Sequence, residues 1–318
     1  MAQPTSSDVH VDAALTDMSI AYIQDDGNYV ANRVFPNKPV THKTDKYHIF
    51  TKNDWFRDDA VKKRAPHQEA PMSGFNLSTG TYDCDPYWTS IGINELISAN
   101  ADPAVPLDEA ATRLLTQRML IKRDRDFATA FMNTDSVWDT DSTLSGASQW
   151  SDSASDPITD VTTGKETVLT NTGLEPNTFV VPYQVHVQLL KHPLITERVK
   201  YVGGMATMQL LAQLFDVERY ITMKSVYATN VEKGTAAMAF TVGKHALLVH
   251  TNGAPDLLTP TAATNFVWTG LTGVNDLGVR IDQYYHDGRK DDIIRGEFAY
   301  DMKVTGSDLG YRFKNAVA

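Results

Sequence analysis

The chain has 318 residues, 29 Lys and Arg against 39 Asp and Glu, a formal charge of −10 and a sequence pI near 5.3. An acidic protein repels nucleic acid unless a local patch opposes the global field, so a simple nucleic-acid binder is excluded. At 42% hydrophobic and 21% charged residues, disorder throughout is excluded too, and the length suits two packed sub-domains.

The opening MAQPTSSDVHVDAALTD lacks the basic and apolar regions of a signal peptide, and no later stretch approaches the ~18 consecutive apolar residues of a membrane span. A protein that stays in the cytosol where it is made is expected. Residues 1–40 scatter Val11, Leu15, Met18, Ile20, Tyr22 and Ile23 among polar residues, too few to close a core locally, and predict an extended arm. KYHIFTKNDWFRDD and GFNLSTGTYDCDPYWTSIGI are two strand-like blocks rich in Tyr, Phe, Thr and Ile, and a long hairpin is their natural reading. Between them, Ala60 to Ser73 has two prolines and three adjacent basic residues and reads as a turn or tip. The lone Cys84 permits no internal disulfide and no thiolate zinc site.

Asp108 and Glu109 place negative charge where a helix begins, and one long helix is predicted from about Leu107 to Met132, with Leu107, Ala111, Leu114, Ile121 and Ala128 as its apolar stripe. Its second half, RMLIKRDRDF, alternates in sign; the ordinary reading is a solvated face with pairs three or four apart, the other a subunit contact. Residues 133–156, rich in Ser, Asp, Thr and Gly, read as a long loop. A helix after Asp156-Pro157 ends near Gly173, the strand TFVVP follows, and a second helix stops at His192-Pro193. A third, ATMQLLAQLF, leads into the strand RYITMKSVYAT. The chain from Ala237 onward reads mostly as strands broken by Gly and Pro.

Templates for chemistry are all incomplete. His-Glu-x-x-His, Gly-x-Ser-x-Gly and Gly-x-Gly-x-x-Gly are missing. Gly164-Lys165 and Gly243-Lys244 look like P-loop ends, but Glu166 and His245 replace the hydroxyl that would hold magnesium. Asp139, Asp141 and Thr143 begin an EF-hand spacing that Leu144 and Trp150 break. The nine histidines are dispersed, so no catalytic residue and no metal ligand is assigned.

Charge along the hairpin is more informative. From His42 to Arg64, seven Lys and Arg face four Asp, so this stretch carries +3 and the rest of the chain −13. A long hairpin with little to bury beneath it is unstable alone, and an acidic neighbour of the same kind is the nearest support. Arg57, Lys62, Lys63 and Arg64 on the hairpin, with Arg118, Lys122, Arg123 and Arg125 on the long helix, are the candidate inter-subunit contacts. An exposed loop with no partner is the plainer alternative.

This order of elements, with the text SDSASDPITDVTTGKETVLTNTGLEPNTFVVPYQVHVQLLKHPLITERVKYV (Ser151 to Val202) and its continuation LLAQLFDVERYITMKSVYAT, resembles the major capsid proteins of tailed double-stranded DNA bacteriophages, the HK ninety-seven type fold. The resemblance implies an α+β phage major-capsid fold. Its parts would be an N-terminal arm (1–41), an extended loop (42–93), a peripheral domain with a spine helix (94–156), an axial domain (157–240) and closing strands returning to the peripheral domain (241–318). It implies a structural shell protein rather than an enzyme, without cofactor, self-assembling into pentamers and hexamers of an icosahedral shell. The shell would enclose packaged double-stranded DNA bound without sequence specificity, assemble in the host bacterial cytoplasm and end in the virion, with no membrane involved. Partners would be a portal protein, a decoration protein and, because the arm begins within the first few residues, a separate scaffolding protein. The Lys–Asn cross-link of some relatives is not carried over, since nothing here marks the paired Asn. An encapsulin-like nanocompartment shell is the alternative within this fold. A cytosolic hydrolase on residues 157–240 would need His and carboxylate side chains gathered in one pocket.

Overall fold

The computed structural model describes residues 24–50, 52–59, 61–63, 66, 67, 69, 72–100, 107–200, 207–230, 237–253, 258–270 and 279–318. In chain order its strands are β1 (Asn37–Val40), β2 (Thr44–Phe50), β3 (Leu77–Asp83), β4 (Asp85–Asn94), β5 (Thr140–Thr143), β6 (Thr178–Pro182), β7 (Arg219–Met223), β8 (Val226–Ala228), β9 (Met238–Phe240), β10 (Ala246–Val249), β11 (Ala263–Trp268), β12 (Val279–His286), β13 (Asp291–Val304) and β14 (Gly310–Lys314). The α-helices are α1 (Ala31–Val34), α2 (Lys52–Trp55), α3 (Glu95–Ala99), α4 (Leu107–Phe127), α5 (Pro157–Thr172), α6 (Tyr183–Lys191), α7 (Pro193–Lys200) and α8 (Met208–Leu214).

The first five-stranded sheet runs β1–β11–β13–β12, with β4 also paired to β13. β13 binds β4 over residues 291–300 and β12 over residues 291–298, both antiparallel. The long helix α4 lies against this sheet, where Met119 meets Phe298, and Ala111 and Leu115 meet Ile294 with Ile91 and Ile93. Five of its six buried residues, Ala111, Leu115, Met119, Arg123 and Phe127, follow steps of four, one ridge of an α-helix, and Asp124 lies beside it. The predicted stripe shares only Ala111 and the following Ala128 with the buried set, and Leu114 is exposed. A π-helical stretch, Ala128–Asn133, continues α4 and carries the buried Phe131 and Met132.

The second sheet has the order β5–β14–β10–β6–β7. Every residue of β6 (TFVVP) and β10 (ALLV) is buried, as apolar runs without alternation require when both faces are covered. On one face Val180, Ile221, Leu247 and Val249 meet Phe127, Phe131, Met132 and Trp138. On the other, Phe179, Val181, Leu248 and Phe313 meet Val161 of α5, Leu189 of α6, Ile195 of α7 and Leu211 of α8. Local sequence sets α5: the Asp156 carboxylate accepts from the Ile158 and Thr159 amides, Pro157 is its first residue, and Gly173 closes it at φ +70°, a conformation glycine adopts without strain.

Several expectations are corrected. Residues 24–40 do not stand off as an arm: Val30, Ala31, Val34 and Phe35 join the core beside Phe127 and Phe131, and β1 pairs in parallel with β11, because these apolar residues find a long-range surface. The remainder of the arm, residues 1–23, lies outside the described residues. The second strand-like block breaks at Cys84, and residues 85–94 leave the extended loop to become a strand of the first sheet, since Ile91 and Ile93 are held under α4. The 133–156 loop contains β5, paired in parallel with β14. RYITMKSVYAT divides into β7, in the second sheet, and β8, in a ribbon with β9. Residues 241–318 do not all return to one sheet: β11, β12 and β13 do, while β10 and β14 fill the second sheet, where Leu248 and Phe313 complete the core under α5–α8.

Candidate subunit interface

β2 and β3 form a two-stranded antiparallel ribbon that pairs with no other strand among the described residues. Tyr47 lies opposite Gly80, and its ring fills the space a side chain there would take. At the base, Tyr82 stacks on Phe266 with centroids 4.6 Å apart, and the buried Cys84 thiol is pushed up to about 12, chiefly by burial, which leaves it protonated and inert. At the far end Phe50 packs edge-on to Trp55 at 5.8 Å and lies 6.0 Å from Phe75. Trp55 still exposes 59% of its surface, and Phe56, Met72 and Phe75 are exposed beside it. The ribbon thus ends in open aromatics, an apolar patch of the kind that a free two-stranded ribbon cannot bury by itself. The ribbon is not wholly detached from its own chain. Lys52 Nζ pairs with Asp308 at 2.9 Å, and the Phe56 ring borders Gly173, so the limb also touches its own body. The cause is an acidic Asp308 within reach of a lysine and a side-chain-free Gly173 that admits the ring.

The candidate contact residues separate into three groups. Arg57 is exposed but paired to Asp59 at 2.7 Å, Lys62 and Lys63 are exposed, and Arg64 lies outside the described residues. On α4, Arg118 is exposed, Lys122 pairs with Asp126 at 2.6 Å and sits 4.7 Å above the Tyr87 ring, and the exposed Arg125 lies 4.3 Å above the Tyr227 ring. Arg123 is only 4% exposed; it donates to Asn37 Oδ1 at 3.0 Å and lies 5.1 Å from the Tyr300 ring centroid. Its place on the buried ridge makes it an internal contact, a correction to its reading as a subunit contact.

Two buried charges, Asp124 and Arg312, and the exposed Arg219 escape sequence reasoning. The Asp124 carboxylate accepts from the amides of Val30 (3.1 Å) and Ala31 (2.9 Å) with Oδ1 and from the Ser225 hydroxyl (2.6 Å) with Oδ2. Burial raises its carboxyl above the ordinary value. Arg219 donates to the carbonyls of Arg33 and Val34 and to Thr178, fixing the same N-terminal segment to the second sheet. Arg312, 1% exposed, donates to the Met132 and Thr134 carbonyls and pairs with Asp135 and Asp141. In the text each is one more charge among many, and only long-range contacts distinguish it.

Ser155 and His192 form a buried pair at 3.2 Å, but His192 Nδ1 has no hydrogen-bond partner among the described residues, so no carboxylate orients the ring as a hydrolytic triad needs. No group of three or more His, Cys, Asp and Glu suited to a metal occurs among the described residues, and no described helix is long and apolar enough to cross a membrane. Two open grooves border α4. One, of about 380 Å³, is lined by Tyr87, Trp88, Arg118, Met119 and Lys122. The other, of about 400 Å³, carries Asp108, Glu109 and Asp282 on its walls, with Glu109 paired to Arg113 and Asp282 to Arg280 and Arg295.

No family model matches the chain. It is 26% identical over 316 residues to the major capsid protein of Pseudomonas phage JBD67, covering 97% of each chain. The chain is a relative of phage major capsid proteins. The major capsid protein of Burkholderia phage BcepMu is 25% identical over 227 residues, covering 71% of this chain and 72% of that one. Among solved structures, a phage-related protein of Bordetella bronchiseptica superposes with a TM-score of 0.68 at 21% identity, covering 96% of this chain and 97% of that one. The mature capsid of bacteriophage PhiM1 gives 0.61 at 13%, covering 96% and 92%. A Synechococcus elongatus encapsulin gives 0.56 at 12%, covering 96% and 95%. The fold is thus the phage major-capsid fold, which encapsulins share.

Proposed function

We propose that this chain is the subunit of a phage capsid shell, acting by assembly rather than by catalysis. The observation that carries the reading is sequence kinship along 97% of the chain to a phage major capsid protein. Encapsulins share the fold, but both sequence relatives are phage capsid proteins, so the nanocompartment reading comes second.

The mechanism rests on unlike surfaces. A surface that meets a different surface on the next copy closes into rings where the rotation permits, and rings of five and six tile an icosahedral shell. The ribbon end supplies one surface, with Trp55, Phe56, Phe75, Lys62 and Lys63; the groove of the next copy that carries Asp108, beside the internally paired Glu109 and Asp282, supplies another. The exposed Arg118 and Arg125 of α4 add further cations. Each contact is modest, and closure multiplies them. The acidic body keeps packaged double-stranded DNA from adhering to the wall, and a separate scaffolding protein, a portal and a decoration protein complete the particle, assembled in the host cytoplasm.

Negative-stain microscopy of the chain expressed with a candidate scaffolding protein tests the reading. Closed shells of uniform diameter are expected from the native chain, and dispersed subunits or irregular sheets from Trp55→Ser with Phe75→Ser. A native chain that stays monomeric at high concentration with every scaffold tried overturns the reading, as does a double variant that assembles normally.

A further inference from the structure

The ribbon of β2 and β3 is anchored at both ends, on different parts of its own subunit. We propose that Lys52–Asp308 and Phe56–Gly173 form a brace that fixes the ribbon's angle in the free subunit, so that its open aromatics are already in place when the next copy arrives. At the base the anchor is the first sheet: Tyr47 and Tyr82 both pack on Phe266 of β11, and the Asp83 amide donates to Asp301 of β13 at 2.8 Å. At the far end the anchors belong to the second sheet and its cover. Asp308 sits in the 3₁₀ turn Ser307–Leu309 that leads into β14, and Gly173 closes α5.

Both far anchors are firmly held. Leu309 is buried, the His250 amide donates to its carbonyl at 3.0 Å, and the Asp139 amide donates to the Ser307 carbonyl at 3.2 Å. The Gly173 amide donates to the Leu169 carbonyl at 2.7 Å, and Phe56 Cε1 lies 3.2 Å from the point a Cβ on Gly173 would take. The ribbon end is cohesive too: Phe50 packs on Trp55 and Phe75, and the Asn76 amide donates to Asp54 at 2.7 Å, so holding Lys52 and Phe56 also holds Trp55 and Phe75. The seven residues of β2 span about 20 Å, and over that lever about 1 Å of slack at the far anchor is about 3° of swing. Hinged at the base alone, a two-stranded ribbon bends and twists freely. The brace covers little of the contact surface, since Phe56 remains 66% exposed. A surface already held in its bound orientation loses less freedom on association. That last consequence rests on the shell reading; the brace itself does not.

Distances between paired spin labels in the unassembled full chain test the brace. Thr79→Cys on β3 and Glu166→Cys on α5, both at exposed positions, carry the labels, and Cys84, buried and protonated, takes none. At low salt one narrow distribution is expected. Asp308→Lys should widen it about twofold or more, and the exchange Lys52→Asp with Asp308→Lys should narrow it again. Should Asp308→Lys lower the melting temperature, Lys52→Glu, at an exposed position, replaces it under the same criteria. A distribution already wide in the native background, or one indifferent to the reversal, overturns the brace whether or not shells form. Light scattering then reads assembly. Asp308→Lys changes the net charge from −10 to −8, which by itself favours association, so a rate lowered about threefold or more and restored by the exchange isolates the brace. A reversed variant that assembles as fast as the native chain, or faster, overturns the proposal. A native chain that never assembles sinks the shell reading and leaves the brace to the label distances.

Discussion

Asp124 joins three parts of the chain through one carboxylate: the segment at Val30 and Ala31, the helix α4 and Ser225 beyond β7. Removing it strands two buried amides, so Asp124→Ala should cost about 3 kcal/mol in urea unfolding, while Asp124→Asn, which keeps an acceptor for the amides, should cost about 1 kcal/mol. The dependence on pH has a definite sign. Burial raises the Asp124 carboxyl, so the folded chain binds this proton more tightly than the unfolded chain, and the charge opposes folding above the raised value. That opposition fades as pH falls from the raised value toward the ordinary 3.8, and the native chain should gain stability over Asp124→Asn across that window. Asp141 behaves oppositely. The Lys314 ammonium, bonded at 2.8 Å, holds it below the ordinary value, so its contribution is present above 3.8 and lost as pH falls through the depressed value.

At its first residue β14 leaves no room for a side chain. Gly310 starts it beneath the Trp138 indole, whose Nε1 donates to the Phe131 carbonyl at 2.8 Å and so cannot swing aside. The backbone of Gly310 is extended, and the demand for glycine there is one of space rather than conformation. Gly310→Ala should destabilise by about 2 kcal/mol through overpacking, seen as a lower melting temperature with altered tryptophan fluorescence. At Gly173 the demand is the reverse, a left-handed φ of +70°.

For the whole molecule the governing quantity is the uneven distribution of a net −10 charge. Copies repel at long range, while the +3 ribbon stretch attracts the −13 remainder of a neighbour at short range. Lys62→Glu with Lys63→Glu moves the chain to −14 and reverses that attraction. Association followed by light scattering should slow about tenfold or more at low ionic strength and recover as salt screens the repulsion. An unchanged rate at low salt would show that these lysines do not steer association.

Much of the fold was legible wherever a segment's own residues settle its conformation. Asp156-Pro157 and Gly173 mark both ends of α5, TFVVP reads as a strand, and two blocks rich in Tyr, Phe, Thr and Ile predict the hairpin of which β2 and β3 are the ribbon. The acidic charge, the lack of a complete catalytic motif and the kinship to capsid proteins were likewise readable from the residues. The interface was only partly legible: basic side chains could be named, but not which of them face outward. Tertiary structure alone placed Arg123 inside, gave Asp124 its three donors, moved residues 85–94 from the loop into a sheet and divided β10 and β14 from β11–β13. The reason is that capping, turn geometry and residue periodicity act over a few neighbours. Strand partnership and the burial of a charge are decided by groups about a hundred to more than two hundred residues away, and only the assembled chain brings those together.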